Sequence, residues 1–509
     1  AASDVYKRQL MVIVQRRGYP TVKVFTKPSN KAVFESLAFE TLAETDSVVF
    51  MENGQMPLRD YLLSLERLAR PGKSGVIVMN CNPFTRGHRY LIEEASKQVD
   101  NLYVIPLKEN NRNFNYEERR EMIRLGTADL ANVTVCEGSA YAISQATFPT
   151  YFLKQLDKAS ENQIELDLQI FARYLAPALG ATVRFVGTEP FDPLTRRYNE
   201  MMTELLPKSG IEVVQIERKE LEEKPISASR TRAFIENNKL HAAMQLVPPT
   251  TQPYIMAKFA VDALQQELDT TPKPGLVDKD NSGAHTDMDY ILMERSIKSL
   301  RPYFVRLAQL GLSADKLTTA DVQRIGIEAE AAMLRTTHGV NTHRGALFAL
   351  GITVAAAMWL YAHEGHEVRK ERLQQMIQEI AAGFPPSADT HGAEVVAKAR
   401  VKGARENAVE GYPDLFETWG PYYRKLREDP HRAHRTLLKI MSMLQDTNIY
   451  YRTDAETAEI VRQSSGQLLQ RFSVNSLREA DAEFIRHNIS PGGCADMLSL
   501  TILINAILR

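Results

Sequence analysis

Residues 76–98 read VIVMNCNPFTRGHRYLIEEASKQ, and this stretch decides the fold of the first half of the chain. Residues 76–79 are a short, mostly β-branched apolar run, which predicts a buried strand. Residues 80–87 are turn-forming, and apolar residues recur at helical spacing after His88. A strand, a polar turn and a helix in this order are typical of α/β domains with a parallel sheet.

Similar runs lie on both sides of this stretch. The predicted strands cover residues 10–14, 21–25, 48–51, 76–79, 102–106, 133–136, 183–186 and 213–216. Those after residue 70 are apolar throughout and are separated by helix-length segments such as 116–130. Continuous apolar strands with helical crossovers predict a parallel sheet that is covered on both faces, and therefore a doubly wound, Rossmann-like domain.

The pattern changes near residues 247–254, where VPPTTQP interrupts helical spacing. Beyond it only helical periodicity recurs, which predicts an all-α second half. The predicted helices cover residues 256–268, 288–310, 322–336, 344–361, 369–382, 434–444, 455–472 and 477–488. The expected fold class is therefore α/β plus all-α.

The first 70 residues are expected to form a third, smaller unit. Residues 18–26, 30–44 and 48–52 have the patterns of a strand, a helix and a strand. The run KPSNKAVFESLAFE resembles the closing part of a GNAT-type acetyltransferase domain, whose acyl-CoA pyrophosphate loop would lie upstream of residue 1. We therefore expect a truncated GNAT-like unit without activity. Residues 1–9 (AASDVYKRQ) resemble translated adapter sequence and carry none of these inferences.

Together these patterns predict three domains: a partial GNAT-like unit at 10–70, a nucleotidyltransferase domain at 71–250 and an all-helical domain at 255–509. A length of 509 residues agrees with about three domains. The formal net charge of -1 gives no overall field for nucleic acid or an anionic membrane, and neither is an expected partner.

The cysteines and the apolar runs exclude other classes. Cys81, Cys136 and Cys494 are widely spaced, which argues against a disulfide framework and a thiolate zinc site. The most apolar run, residues 346–362, is short for a membrane span and predicts a buried helix. No signal-peptide pattern opens the sequence, and the cytoplasm is the expected compartment.

The turn after the strand at 76–79 carries a first chemical constellation. Thr85, Gly87 and His88 are expected at the carboxyl end of a parallel strand, where open α/β sheets bind their ligands. Gly87 would let a phosphate approach the backbone, and the helix amides favour anions. His88 can donate a hydrogen bond to a phosphate oxygen, and the Thr85 hydroxyl can point to the same group.

A second element, ISASRTR at residues 226–232, has the pattern of another helix start. Ser227 is a good N-cap, so Ser229 and Arg232 project from the first turn with hydroxyl and guanidinium donors. Each element alone is equally well explained as a surface turn with a capped helix. Together, in this order, they predict a nucleotide triphosphate site and in-line attack on the α-phosphate without a covalent enzyme intermediate.

These residues belong to a longer series of motifs. NPFTRGH is followed by YEER at 116–119, YAISQATFPTYFLK at 141–154, FVGTE at 185–189 and Tyr198-Asn199. Over about residues 15 to 250 the series resembles the citrate lyase ligase family, within the wider HxGH nucleotidyltransferases. Thr85 stands at the first histidine of that wider motif, and Arg86 at a variable position. The resemblance also accounts for a GNAT-like unit at the front.

The resemblance implies that ATP and acetate give acetyl-adenylate, and that the thiol of the lyase acyl carrier protein then takes the acetyl group. The catalytic residues that it implies are Thr85, His88, Ser229 and Arg232. The implied ATP-binding residues are Asn82, Pro83, Phe84, Gly87, Gly187, Thr188, Ile226 and Ser227. Cys81 is interpreted as a small turn residue and not as a nucleophile.

Polar segments at the predicted helix junctions of the second half form a second constellation. They are TPKPGLVDKDNSGAHTDMD, HGVNTHRG, GARENAVEGYP, DTN with Arg452, and SPGGCAD. Their basic residues can hold phosphates, their carboxylates can hold Mg²⁺, and their asparagines can contact a sugar or base. Two alternatives remain open: a zinc site at His285, His338 and His343, and loop residues that only cap helices.

These segments resemble the triphosphoribosyl-dephospho-CoA synthase family from about Met256 to near the C-terminus. The resemblance implies that ATP is joined to dephospho-CoA with release of adenine, through attack of a ribose 2′-hydroxyl on the anomeric carbon of ATP. Asp287, Asp289 and Asp446 are the tentative Mg²⁺ ligands. The implied synthase site comprises Lys273, Asp278, His285, Asp287, Asp289, Asn341, His343, Arg344, Glu406, Asp446, Asn448, Arg452 and Asp496.

The two resemblances fit one biochemical task. The synthase makes the precursor of the prosthetic group on the lyase acyl carrier protein, and the ligase acetylates the thiol of that group. We therefore expect a bifunctional enzyme of citrate lyase maturation. The alternatives are another adenylyl- or cytidylyltransferase of cofactor synthesis, and a degenerate carrier-binding module fused to a single active synthase.

Overall fold

The computed structural model describes residues 9, 12–14, 16–54, 57–109, 113–142, 158–190, 192–221, 224–385 and 401–508. The chain divides into two compact units. The first comprises residues 1–232 and 246–251, and the second comprises residues 233–245 and 252–509. The boundary therefore falls inside a helix, close to the position at which the sequence pattern changes.

The first unit begins with a small antiparallel sheet of strands β1 (Thr21–Thr26), β2 (Glu40–Glu44) and β3 (Val49–Gly54), in the order β1-β3-β2. Two predictions at this end of the chain were wrong. Residues 40–44 were expected in a helix, but they pair with β3 and bury Leu42 and Ala43. Residues 12–14 were expected in a strand and are helical.

A five-stranded parallel sheet follows and confirms the α/β prediction. Its strands are β4 (Ser74–Met79), β5 (Asn101–Pro106), β6 (Val133–Val135), β7 (Ala181–Gly187) and β8 (Glu212–Ile216). Their order is β6-β5-β4-β7-β8, with every neighbouring pair parallel. The strand order reverses between β4 and β7, and doubly wound sheets bind ligands in the crevice at such a point. A two-stranded ribbon, β9 (Glu220–Leu221) and β10 (Lys224–Pro225), comes after β8.

Helices alternate with the strands along this part of the chain. They are α1 (Lys31–Glu35), α2 (Pro57–Glu66), α3 (Arg86–Ser96), α4 (Tyr116–Gly126), α5 (Lys158–Ile170), α6 (Ala176–Ala178), α7 (Pro193–Leu205) and α8 (Ala228–Glu236). All residues of β5 are buried, as expected for a central strand that is covered on both faces. The core that packs against the sheet includes Leu65 from α2 and Leu194 from α7.

The second unit is helical, and its described residues contain no strand. Its helices are α9 (Leu240–Gln245), α10 (Gln252–Asp269), α11 (Tyr290–Ser313), α12 (Thr319–Thr336), α13 (Arg344–His363), α14 (Lys370–Ala382), α15 (Ala404–Val409), α16 (Gly420–Lys425), α17 (Arg432–Met441), α18 (Thr447–Arg452), α19 (Ala455–Gln470), α20 (Val474–Arg486) and α21 (Gly492–Ile507). The eight predicted helices are all present. Helix α21 was not predicted because it is apolar on nearly every face and lacks the amphipathic alternation that marks a surface helix.

Helix α13 lies in the core of this unit. By length and composition it is the one described helix that could cross a membrane, but 78% of its apolar window is buried inside the protein. The prediction of a buried helix over residues 346–362 is therefore confirmed. Its amino-terminal end, at Arg344 and Gly345, is one of the places where the predicted polar segments meet.

Candidate active sites

The turn 80–87 leads from β4 into α3, with a helix cap at Thr85. The Thr85 hydroxyl accepts a hydrogen bond from the His88 backbone N–H at 3.3 Å. In return, His88 Nδ1 accepts one from the Thr85 backbone N–H at 3.0 Å. This capping box satisfies two donors that a first helical turn otherwise leaves unpaired. Thr85 and His88, both predicted as catalytic, therefore lie side by side at the carboxyl end of β4.

His88 uses one ring nitrogen for the cap, which leaves the other for a ligand. Because Nδ1 accepts the Thr85 N–H, the proton of the neutral ring is on Nε2. Burial lowers the pKa of His88 to about 4, with further contributions from the charges of Arg218 and Arg232. At neutral pH the ring is therefore uncharged and can donate a hydrogen bond through Nε2.

The second motif reaches this turn at Gly87. A Cβ on Gly87 would lie 2.7 Å from the carbonyl oxygen of Ile226. The backbone of the second motif therefore occupies the space beside Gly87. The sequence analysis predicted that a phosphate would approach the backbone there, and that prediction was wrong. One residue later, the Ser227 hydroxyl accepts the Arg230 N–H at 3.1 Å, as predicted for the N-cap of α8.

Arg232 joins the two motifs by hydrogen bonds. Its Nη1 donates to the carbonyl oxygen of Asn82 at 2.6 Å, and its Nη2 donates to the Ser229 hydroxyl at 3.0 Å. The structure therefore brings together the four predicted catalytic residues, Thr85, His88, Ser229 and Arg232. Two helix N-termini, the Arg232 guanidinium and the neutral His88 ring then lie near one another, and this set of donors favours a polyphosphate.

The other predicted residues of the turn, Asn82, Pro83 and Phe84, are also buried. Pro83 is buried, and Phe84 is 0% exposed with its ring against Gly126, so that it anchors the turn to α4. Asn82 is 7% exposed, and its Oδ1 has no hydrogen-bond partner among the described residues. Among these three turn residues, Asn82 is therefore the one whose side-chain oxygen could accept a hydrogen bond from a ligand.

Gly187 and Thr188 lie where β7 ends, next to β4 in the sheet. The Asn199 side chain donates to the Gly187 carbonyl at 3.1 Å, and the Thr188 N–H donates to the Ile216 carbonyl at 3.0 Å. These bonds fix the loop after β7 at the carboxyl edge of the sheet. The motif FVGTE therefore forms one wall of the crevice at which the strand order reverses.

In the second unit, a cavity of about 830 Å³ collects many of the predicted polar residues. Apolar side chains such as Leu307, Phe348 and Ile352 line one part of it, and Lys402 and Arg405 add positive charge. This combination suits a ligand with an apolar face and an anionic end. The predicted residues that line the cavity are Asn341, Arg344, Glu406, Asp446, Asn448 and Asp496.

Asp446 is buried and holds two loops together. Its Oδ1 accepts the Asn448 N–H at 2.9 Å as the N-cap of α18, and its Oδ2 accepts the Cys494 N–H at 2.7 Å. A Cβ on Gly493 would lie 3.0 Å from the Asp446 oxygens. The motifs DTN and GGCAD therefore form one structural unit around this carboxyl group.

Asp496 reaches the cavity from the first turns of α21. Its Oδ2 would lie 2.1 Å from a Cβ on Gly345, so the glycine at the start of α13 makes room for this carboxyl. Burial, the neighbouring Asp446 and Glu267 raise the pKa of Asp496 well above its usual range. Asp496 is thus the predicted residue that is best placed to hold a proton in the cavity.

The remaining lining residues brace the cavity wall. Arg344 forms an ion pair with Glu330, and the Arg344 N–H donates to Asn341 Oδ1 at 3.2 Å. Glu406 accepts the Gly403 N–H at 3.1 Å and so caps α15. The alternative that the polar loop residues cap helices therefore applies to some of them, although the same side chains also line the cavity.

Other predicted synthase residues serve the neighbouring loops. Lys273 forms a buried ion pair with Glu267, and its backbone N–H donates to Asp278 Oδ2 at 2.8 Å. The Ser296 hydroxyl lies 2.8 Å from His343 Nδ1, and burial lowers the pKa of His343 to about 3. None of these predicted residues lines the 830 Å³ cavity.

His285 and Arg452 also bind loop groups. His285 Nε2 lies 2.8 Å from the Ser490 hydroxyl. Arg452 donates to the Asn488 carbonyl at 3.1 Å and also contacts the carbonyl of Ala284. These two residues therefore tie the segment SPGGCAD to the segment NSGAHTDMD.

Asp287 and Asp289 line a separate cavity of about 520 Å³ together with Arg295, and Asp289 caps α11. The tentative metal ligands Asp287, Asp289 and Asp446 are thus divided between two cavities. Across the described part of the chain, no group of three or more His, Cys, Asp or Glu side chains could hold a metal ion. The open alternative of a zinc site at His285, His338 and His343 is therefore not supported.

Comparison with known proteins gives two results, one for each half. Residues 74–255 match the family model of the citrate lyase ligase C-terminal domain. The [citrate [pro-3S]-lyase] ligase of Escherichia coli (strain K12) is 44% identical over 254 residues, which are 48% of this chain and 72% of that protein. The ligase of Klebsiella pneumoniae is 43% identical over 254 residues, which are 49% of this chain and 74% of that protein.

Residues 254–509 match the family model of ATP:dephospho-CoA triphosphoribosyl transferase. A Pseudomonas fluorescens (strain Pf0-1) protein named "Probable 2-(5''-triphosphoribosyl)-3'-dephosphocoenzyme-A synthase" is 37% identical over 284 residues, which are 52% of this chain and 97% of that protein. The chain belongs to both families. It is an enzyme with a ligase domain and a triphosphoribosyl transferase domain, here called the synthase domain, and it acts in citrate lyase maturation.

A solved structure was also found. Pantothenate synthetase from Thermus thermophilus covers 40% of this chain and 73% of its own, with 16% sequence identity and a TM-score of 0.25.

Two arginines of the ligase site were not predicted from the sequence. Arg119 is 0% exposed and donates to the Asn80 carbonyl at 2.6 Å and to the Leu107 carbonyl at 2.8 Å, so it holds the turn at 80–87 against the end of β5. The sequence predicts no role for its motif, YEER. Arg218 follows β8 and contacts Thr188, and no motif marked it in advance.

A glycine substitution tests the geometry of the synthase cavity. We expect Gly345→Ala to lower the rate of adenine release on the order of 10²-fold, because the new methyl group would displace the Asp496 carboxyl by an ångström or more. Gly466→Ala in α19 is the matched control, since its nearest neighbour, Ser442 Cβ, would be at 3.8 Å. Adenine release by Gly345→Ala at the rate of Gly466→Ala would show that the Asp496 position is unimportant.

Proposed function

We propose that the ligase domain activates acetate with ATP. An acetate oxygen attacks the α-phosphorus of ATP, the bond to the bridging oxygen of the β-phosphate breaks, and pyrophosphate leaves. The acetyl-adenylate then reacts with the prosthetic-group thiol of the citrate lyase acyl carrier protein. The sulfur forms a bond to the acetyl carbon, the thiol proton is lost, the acetyl–oxygen bond to AMP breaks, and AMP leaves an acetyl thioester on the carrier.

The junction of the two motifs carries this proposal. Arg232 bridges Asn82 and Ser229, and the neutral His88 ring offers its Nε2–H next to them. Groups of this kind act by positioning the triphosphate and by stabilising the charge that develops on its oxygens. Cys81 is buried and burial raises the pKa of its thiol, so we propose no nucleophilic role for it.

For the synthase domain we infer a glycosyl transfer. The ribose 2′-hydroxyl of dephospho-CoA attacks the anomeric carbon of ATP, and the bond from that carbon to adenine breaks. The hydroxyl proton is lost, and the departing adenine takes up a proton. The product is 2'-(5''-triphosphoribosyl)-3'-dephospho-CoA.

The shape and charge of the 830 Å³ cavity support this reaction. Arg344, Lys402 and Arg405 can bind the triphosphate, and the apolar wall can receive a base. Asp496 is the proposed acid that protonates adenine, since its pKa is raised and it lies in the cavity.

Mg²⁺ would enter with ATP. No three-carboxylate group lies among the residues that the structure describes, and both oxygens of Asp446 already accept backbone N–H groups. This donor set fits a magnesium ion that is held mainly by phosphate oxygens and water, with one or two carboxylates at most. Asp287 and Asp289, the other two tentative ligands, line the separate 520 Å³ cavity and therefore lie apart from the triphosphate proposed here.

The domain limits at 10–70, 71–250 and 255–509 remain proposals, as does the GNAT-like origin of the first sheet. The proposed partners are acetate, dephospho-CoA and the citrate lyase acyl carrier protein, and the proposed compartment is the cytoplasm. Both reactions then act on one prosthetic group, the first to build its precursor and the second to acetylate its thiol.

The two activities can be tested in one preparation. Incubation with ATP, dephospho-CoA and Mg²⁺ should release adenine only when dephospho-CoA is present. Incubation with ATP, acetate and the thiol form of the carrier protein should give AMP, pyrophosphate and an acetyl thioester, which mass spectrometry detects. A dinucleotide product in place of AMP would indicate a different nucleotidyl transfer, and carrier binding without turnover would indicate a degenerate module.

A further inference from the structure

Arg218 is the half-buried arginine that follows strand β8 by two residues, and its guanidinium group is fixed on the loop after β7. Its Nε donates to the Thr188 carbonyl at 2.5 Å, and its Nη2 pairs with the Glu189 carboxylate. The Thr188 N–H in turn donates to Ile216 at the end of β8. Two edges of the guanidinium are therefore used to hold it at the carboxyl edge of the sheet.

The segment that carries Arg218 also contacts both catalytic motifs. The carbonyl of Lys219 accepts the Ile226 N–H at 3.0 Å, and the carbonyl of Ile226 packs against Gly87. The Lys219 ammonium lies 5.5 Å above the ring of Tyr90, one turn into α3. Arg218 is therefore placed between the Thr188 loop and the junction of the two helix starts.

The third nitrogen of this guanidinium, Nη1, has no hydrogen-bond partner within the described part of the chain. The side chain is 27% exposed, so this edge is open to a ligand. Glu189 orients the group and offsets part of its charge, as an acidic partner does for many phosphate-binding arginines. The effect of the Arg218 charge on His88, which lowers the pKa of that ring, agrees with a position in the same site.

We propose that Arg218 is a further catalytic residue of the ligase reaction, whose free edge binds the β- and γ-phosphates of ATP. The inference rests on the proposed activation of acetate. When the α-phosphorus is attacked, the electron pair of the breaking bond moves to the bridging oxygen of the departing pyrophosphate. A fixed guanidinium beside that oxygen stabilises the new negative charge more in the transition state than in bound ATP.

The test compares Arg218→Met with Arg196→Met. Arg196 is a matched control because its guanidinium also holds this loop, with a bond of 3.2 Å to the Glu189 carbonyl, but contributes nothing to the pKa shift of His88. Acetate-dependent exchange of labelled pyrophosphate into ATP should fall on the order of 10²-fold in Arg218→Met and remain unchanged in Arg196→Met. Arg218→Lys should be less impaired than Arg218→Met but slower than the wild type, because lysine keeps the positive charge and lacks the planar guanidinium that donates parallel hydrogen bonds.

A second measurement separates this proposal from the proposed function. Inorganic pyrophosphate is titrated while the ring resonance of His88 is followed by NMR, with His88→Gln to assign the signal. We expect the apparent Kd to weaken at least about tenfold in Arg218→Met. If wild-type exchange is absent but this weakening is seen, acetate activation is wrong and Arg218 still binds a polyphosphate. Equal pyrophosphate affinity in the two methionine variants would overturn the Arg218 proposal, whatever the exchange assay gives.

Discussion

His88→Ala should lower acetate-dependent formation of AMP by about 10²- to 10³-fold while adenine release from ATP and dephospho-CoA stays at the wild-type rate. The loss is expected because the ring Nε2–H is the neutral donor at the junction of the two motifs, and alanine removes it. The synthase residues lie in the other compact unit, so retained adenine release also reports that the variant chain is intact and folded there.

The alanine variant also removes the His88 half of the capping box at the start of α3. A second variant, His88→Gln, controls for the loss of this cap. In His88→Gln, the side-chain oxygen can still accept the Thr85 N–H, so the capping box at the start of α3 is kept. A catalytic role predicts that both variants lose acetylation. Recovery of full activity in His88→Gln would mean that His88 is needed only for the cap.

The pH dependence of the ligase reaction follows from the same residue. Because burial and the two arginines lower the pKa of His88 to about 4, the neutral donor form is fully present above that value and is lost as the pH falls through it. Rates measured near neutrality should therefore show no titration from His88. An inflection near the ordinary histidine pKa of about 6.5, absent in His88→Gln, would contradict a ring that is held neutral.

The local geometry of the candidate ligase site was largely predictable from the sequence because its residues cluster in two short motifs at strand and helix boundaries. Their local caps, at Thr85 and Ser227, follow from residue type and spacing. The partner of Gly87 could not be predicted, because it is a backbone carbonyl from a distant segment. Arg218 was missed for a related reason: it lies outside any motif, and only the strand order brings it to the crevice.

The predicted elements failed where local pattern and tertiary pairing disagree. Residues 30–44 show apolar residues at helical intervals, yet only Lys31–Glu35 is an α-helix and Glu40–Glu44 pairs with β3. Helix propensity is a weak preference that pairing with a neighbouring strand overrides. Conversely, α21 is a helix that was not predicted. Nearly all of its residues are buried, so its sequence lacks the polar face by which an amphipathic helix is recognised.

The synthase residues were predicted as one set, but the structure separates them by role. Polar loop residues in a helical bundle are needed for capping as well as for binding, and a single sequence does not distinguish the two. Lys273 and Asp278 are hydrogen-bonded to each other within one loop. In contrast, Asp446, Asn448 and Asp496 line the cavity. Within that cavity Asp496 is part-buried and its pKa is raised well above the usual range, although its carboxyl also accepts the Ala346 N–H, and it is therefore the strongest candidate for a proton donor.

Asp496→Asn is expected to lower adenine release by about 10²- to 10⁴-fold, the usual contribution of a general acid, and to leave acetylation unchanged. The raised pKa means that the carboxyl is protonated below that pKa and can give its proton to the departing adenine. As the pH rises through this pKa, the proton is lost, and adenine release by the wild type should decline. Asparagine keeps the size of the side chain beside Gly345 but cannot supply the proton.

The control for this substitution is Asp262→Asn, which changes a half-exposed carboxylate on α10 that is paired with Lys258 at 2.5 Å. It should retain full adenine release, because the cavity is untouched. Loss of both activities in Asp496→Asn would point to misfolding, which a thermal melt of the two variants would reveal. Wild-type adenine release by a folded Asp496→Asn enzyme, with an unchanged decline at high pH, would exclude this carboxyl as the acid and direct the search to Glu406 on the same cavity wall.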